Sequence, residues 1–160
     1  MVPLVIFSRW IHIVTACLAL GGVFFMRFIF PAGISVLPDD QRSAVFLNTR
    51  RKFKIVIHTA ILLFLITGTF NTMIAWGKYE RNPALMHPLW GTHVLLALVA
   101  FTIAIIVLAG PTPIQSHRKL MAINFVILLL TVAVASTLKW ARESSTGQSS
   151  PTPSQTGGNP

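Results

Sequence analysis

The chain has 160 residues, of which 53% are hydrophobic and only 11% charged, with a mean hydropathy of +0.68. Soluble domains carry roughly a quarter of charged residues, so this balance excludes an ordinary soluble enzyme and predicts an all-α integral membrane bundle of four transmembrane helices. The formal net charge of +9 does not imply nucleic acid, because the basic residues flank apolar runs and form no stripe with interleaved aromatics; the partner they imply is the lipid bilayer.

Four apolar runs, residues 4–30, 55–76, 89–109 and 120–140, each reach the roughly 20 residues needed to cross about 30 Å of hydrocarbon. None shows the alternation of barrel strands, and helices satisfy their own backbone in lipid. Together they predict a transmembrane domain over residues 1–141. The first run is too long for a signal-peptide core and ends at Phe30-Pro31 without a small-residue cleavage pattern. Inside it lies Cys17, the single cysteine of the chain. One cysteine excludes a disulfide framework and a thiolate cluster, and it reads as a small packing residue.

Between the first two runs, "PAGISVLPDDQRSAVFLNTRRKFK" breaks the helix at Pro31, Gly33 and Pro38. Asp39 or Asp40 is placed to cap a short interfacial helix running toward Arg51. Taking the N-terminal side as side A, side B collects Arg27, Arg42, Arg50, Arg51, Lys52, Lys54, Arg118 and Lys119, and side A holds Arg9, Lys78, Arg81, Lys139 and Arg142. The positive-inside rule then puts side B in the cytoplasm. This predicts a bacterial inner-membrane protein with both termini periplasmic and the cluster from Arg50 to Lys54 at anionic headgroups. Residues 142–160 form a tail that reads "SSTGQSSPTPSQTGGNP" from Ser144, a composition that builds no core.

The histidines can be placed by depth. His12 lies about two turns into the first span and His93 a few residues into the third, both from side A, so they share a level. His58 starts the second span from side B, His117 precedes the fourth, and His87 sits at the side A boundary. Polar groups within a span mark function by default when they face the bundle interior. Behind His12 come Ala16 and Ala19, and behind His93 come Ala97 and Ala100, so each imidazole heads a strip of small side chains. Such strips serve close packing or admit a flat ligand. Two imidazoles at one depth supply the axial ligands of a haem b between helices one and three, with Arg9 one turn outward to pair with a propionate. The plainer alternative is an interhelical hydrogen bond at each histidine. His58, with His117 or another group, is the candidate for a second haem. The only acids, Asp39, Asp40, Glu80 and Glu143, lie outside the spans and offer no carboxylate pair, triad or phosphate loop. Copper would find Cys17, the histidines and scattered methionines, without a repeated spacing.

The stretches "RWIHIVTACLALGGVFFMRFIFPAG", "RRKFKIVIHTAILLFLITGTFN", "GTHVLLALVAF" and "HRKLMAINFVILLL" resemble the superfamily of four-helix membrane proteins that contains the HemJ-type protoporphyrinogen oxidases and the copper-resistance D (CopD) membrane domain. The resemblance covers about residues 4–140. It implies a haem b ligand at His12, places Arg51 at the basic start of helix two, and aligns Asn124 with a fourth-helix asparagine that joins the cofactor-binding candidates. The chain departs from the HemJ pattern at Leu95, where that family has a lysine, and at His58-Thr59, where it has Thr-Pro. Three expectations follow: a haem b protein transferring electrons between a quinol-type carrier and a redox partner, which would make it an oxidoreductase; a HemJ-like porphyrinogen oxidase; and an accessory subunit of a larger respiratory or photosynthetic membrane complex. CopD-like copper handling is the fourth alternative.

Overall fold

In the computed structural model, residues 2–109 and 114–147 are described, apart from the side chains of 114–117 and 145–147. The His117 side chain and the tail beyond 147 therefore lie outside the described residues. Four helices run antiparallel in sequence: α1 (Val2–Gly33), α2 (Asp39–Tyr79), α3 (Pro83–Ala109) and α4 (Ile114–Gly147). All four are long and apolar enough to cross a membrane, and their apolar windows are only 11–22% buried within the protein. So much uncovered apolar surface belongs in lipid; the chain is an integral membrane protein.

Local sequence explains where each helix bends or stops. In α1 the α-helix gives way to a single π-helical turn at Phe25–Ile29 and resumes at Phe30–Gly33. Pro31 has no N–H to bond to the Arg27 carbonyl and its ring crowds that carbonyl, so a widened turn there relieves both. The short connection to α2 is held by Arg42, whose guanidinium donates to Ser35 O at 3.1 Å and Leu37 O at 2.9 Å and pairs with Asp39 at 3.0 Å.

The structure corrects the expectation of a separate interfacial helix before the second span. Asp39 opens a helix that runs unbroken for 41 residues to Tyr79, about 60 Å at 1.5 Å per residue. No glycine or proline stands between Pro38 and Gly68 to interrupt it, so the basic segment and the span are one rod. The third helix begins at Pro83, six residues before the expected start, and runs through Pro88 in its second turn, forgoing the bond that an N–H there would make to Ala84 O. His87 thus lies on a helix, stacked on Trp76 at 5.6 Å. The fourth helix continues to Gly147, beyond the expected end near residue 140.

Helix α1 packs along α2, α2 along α3, α3 along α4, and α4 back on α1, with the α1–α2 and α3–α4 seams the most extensive. This order leaves α1 and α3 on a diagonal, facing each other across the bundle centre. Lipid is as apolar as leucine, so packing and hydrogen bonds, rather than hydrophobicity, must hold the helices together. Two packed layers do so. Toward side B, Val23, Met26, Ile57, Val107, Leu108 and Met121 form one; toward side A, Ala75, Tyr79, Met86, Leu138 and Ala141 form the other. Gly22 belongs to the first layer, for a Cβ there would stand 2.8 Å from the Phe53 ring. A polar stitch between helices accompanies each: Trp90 Nε1 donates to Thr72 Oγ1 at 3.2 Å beside the side A layer, and Arg50 donates to Val107 O at 2.7 Å beside the side B layer.

A paired-imidazole site within the bundle

Between the two packed layers lie His12 and His93. On α1, His12 Nδ1 stands 2.8 Å from Thr67 Oγ1 of α2. The same hydroxyl donates its only hydrogen to Leu63 O at 2.6 Å, so toward the imidazole it can only accept. His12 therefore carries its proton on Nδ1, an assignment made from the network. On α3, His93 Nδ1 lies 3.3 Å from the Thr131 carbonyl of α4, a long contact in which the oxygen again can only accept. Each ring is thus held through Nδ1–H by the next helix, leaving Nε2 as a lone pair that no hydrogen bond of the described residues uses.

The plainer alternative, an interhelical bond at each histidine, is thus present in the structure, yet it consumes one nitrogen of each ring and frees the other. Around His12 the space is shaped by Phe64, whose ring meets it edge-on at 5.1 Å, and by Gly68, where a Cβ would stand 3.6 Å from His12 Cε1. The bare backbone at Gly68 keeps that edge of the imidazole open. One turn outward the α1–α2 seam stays polar: Ser8 Oγ and Asn71 Oδ1 are buried without a partner, and the register set by His12 and Thr67 places them opposite one another.

The same register puts Ala19 opposite Ala60, and the His93–Thr131 register puts Ala100 opposite Asn124. All four line a cleft at the bundle centre, two helical turns or about 10 Å beyond the histidines toward side B. Phe64 and Phe101, stacked at 5.7 Å, line it as well. The cleft is small, about 20 Å³, room for a single water, and a second space of about 10 Å³ shares its walls. Asn124 borders both, is 3% exposed, and its Oδ1 has no partner.

Of the residues expected at the site, the structure brings together His12 and His93 at one level and Ala19, Ala100 and Asn124 at the next. Ala16 and Ala97 are half-buried between the two levels and do not line the cleft, and Arg9 is exposed on the first turns of α1. His58 is not part of the group. It is exposed and its Nδ1 donates to Lys54 O one turn back at 2.7 Å, while its neighbour Ile57 faces the core. Cys17 is exposed, and Met26, Met86 and Met121 fill the packed layers. Thr67, Thr131, Phe64 and Phe101 are site residues that sequence reasoning passed over. One signal was there: Thr67 and Asn71 are polar residues four apart on one face of an apolar helix. Searches for a matching family model, curated protein or solved structure find none.

Proposed function

We propose that this chain is a haem b protein that transfers electrons within the membrane, with His12 and His93 as the axial pair. What carries the reading is the tautomer of the two rings. Both present Nε2 as a lone pair while Nδ1–H is anchored to a hydroxyl or carbonyl of the adjacent helix, the arrangement by which an outer partner orients a metal-ligating histidine and raises its basicity. The donor set suits a low-spin haem iron, and the likeness to HemJ-type proteins at His12 points the same way. A haem bound there supplies a one-electron carrier. The chain's own part is to hold the ring planes through Thr67 and Thr131 and to keep water out with the packed layers on either side. Copper handling draws less support, because three of the five methionines fill packed layers. The excess of basic residues on side B favours an inner-membrane orientation with that side cytoplasmic and both termini periplasmic.

The test is the reduced-minus-oxidised visible spectrum of purified full-length protein beside His12→Ala and His93→Ala. A low-spin b-type spectrum in the wild type, lost in both variants, is the expected result. Intact protein that carries no haem after expression with ample haem supply refutes the proposal.

A further inference from the structure

The first span carries a cation inside its apolar run. Arg27 sits in the π-helical turn of α1, half-buried, with its guanidinium over the Phe28 ring at 4.8 Å and its Nε buried without a partner. No hydrogen bond or ion pair to Arg27 occurs among the described residues; the acids that pair do so elsewhere, Asp39 with Arg42 and Glu143 with Lys139. A guanidinium keeps its charge and offers five N–H donors, and a charged side chain within a membrane run is costly unless something answers it. Register gives its depth. Gly22 faces Phe53, and Phe30 stacks with Phe46 at 6.3 Å, so Arg27 is nearly level with Arg50, which reaches Val107 O in the last turn of α3. Phe28 is also the ring that joins α1 to α4. It meets Phe125 edge-on at 5.7 Å, Phe24 lies 5.6 Å from the same ring, and Phe24 and Phe28 remain 42% and 45% exposed. The α1–α4 seam thus leaves an aromatic strip uncovered below Arg27. Arg118, seven residues before Phe125, stands on the same face of α4 two turns nearer side B; it is exposed and has no acid partner among the described residues.

We infer that the side B end of the α1–α4 seam holds one anionic phospholipid, its phosphate between Arg27 and Arg118 and an acyl chain along Phe24, Phe28 and Phe125. Charge decides for an anion. Side B carries eight basic residues against two acids, Asp39 and Asp40, and Asp39 is already paired with Arg42. A phosphate presents oxygens that a planar guanidinium engages two at a time. The aromatic strip decides for a lipid. A soluble anion or an acidic segment of another protein would answer the arginines and leave the rings to unconnected lipid. A phospholipid serves both with one molecule, and its chain, once seated on the rings, raises the effective concentration of the phosphate at the arginines. The site stands apart from the histidine level and does not depend on haem.

The test is native mass spectrometry of the full-length protein in detergent with graded mixtures of phosphatidylglycerol and phosphatidylcholine, beside thermal melts with and without the anionic lipid. Wild type should retain a single phosphatidylglycerol about tenfold more tightly than phosphatidylcholine and melt higher in its presence. Arg27→Leu should lose that preference and Arg118→Leu should weaken it. Arg27→Lys, which keeps the charge without the fork, should fall between wild type and Arg27→Leu. Arg51→Leu removes an exposed cation at a similar depth and should leave the preference intact. No preference in wild type overturns the inference. Equal losses in Arg27→Leu and Arg51→Leu do so as well, because diffuse surface charge is then sufficient. Displacement of the lipid by excess glycerol phosphate or by a polyglutamate peptide overturns the lipid as occupant, since the chain then adds nothing. Arg27→Leu should melt no lower than wild type in lipid-free detergent; a lower melt means that the arginine serves the fold and overturns the assignment.

Discussion

Replacing Thr67 by valine removes one oxygen and leaves the shape of the α1–α2 seam. The His12 Nδ1–H, now 2.8 Å from a hydroxyl, would face a methyl group inside the membrane. Two losses combine. An interhelical hydrogen bond in a membrane protein contributes about 0.6 kcal/mol and at most about 1.7, and a buried donor left without a partner costs about 1–3 kcal/mol. The expected destabilisation is about 1–3 kcal/mol. Thr131→Val supplies the contrast, because His93 donates to the backbone carbonyl of Thr131, which valine retains. The Thr131 hydroxyl bonds only to Ile127 O within its own helix, so that change should cost about 0.5 kcal/mol or less. Unfolding of the two variants in mixed micelles, titrated with denaturing detergent, gives the comparison directly. The haem proposal adds a second reading, a 10- to 100-fold weaker hold on haem in Thr67→Val with Thr131→Val close to wild type. Equal destabilisation of the two variants would refute the Thr67 hydroxyl as the anchor of the His12 ring and the reasoning built on it.

Gly22→Ala places a Cβ 2.8 Å from Phe53 and should cost about 1–3 kcal/mol by overpacking, whereas Gly21→Ala meets nothing within 4 Å and should be neutral or stabilising by up to about 1 kcal/mol; paired thermal melts in detergent decide it. His58→Ala should leave stability within about 0.5 kcal/mol of wild type and the haem spectrum unaltered, since the ring is exposed and bonded only to its own helix; loss of haem in that variant would place a ligand where the geometry has none. Trp90→Phe removes the bond to Thr72 and changes the edge contact with Trp76; a loss of about 1 kcal/mol is expected in the same melts, and no loss would mean that the α2–α3 seam is held elsewhere.

Composition and run length were enough to read four membrane helices, because the bilayer imposes a length and an apolarity that no soluble fold shares. They could not locate the helix ends. Residues 39–54 look like a surface segment by charge, yet nothing in them stops a helix, and the span simply extends. The level shared by His12 and His93 was legible from counting inward on two helices that start on the same side. Their partners were not, for Thr67 and Thr131 become neighbours of the histidines only once the register of each antiparallel pair is fixed, and one sequence carries no direct record of register. His58 shows the same limit from the other side. It lies nine residues from Thr67, two and a half turns, and so points away from the face that Thr67 defines; without knowing that Thr67 faces inward, the two could not be ranked.

Taken as hairpins, α1–α2 and α3–α4 present the same device twice: an imidazole on the outgoing helix, its hydrogen-bond acceptor on the returning helix, and small side chains two turns beyond. The bundle centre thus approximates a two-fold axis running across the membrane. His12 answers to His93, Thr67 to Thr131 and Ala19 to Ala100, but Ala60 answers to Asn124. At the level of the cleft the halves part company: Phe64 answers to Leu128 and Val23 to Ala104, pairs that differ in size, while Ala60 against Asn124 differs in polarity. The likeness that holds at the histidines is lost two turns deeper, where the described cleft carries its one buried amide.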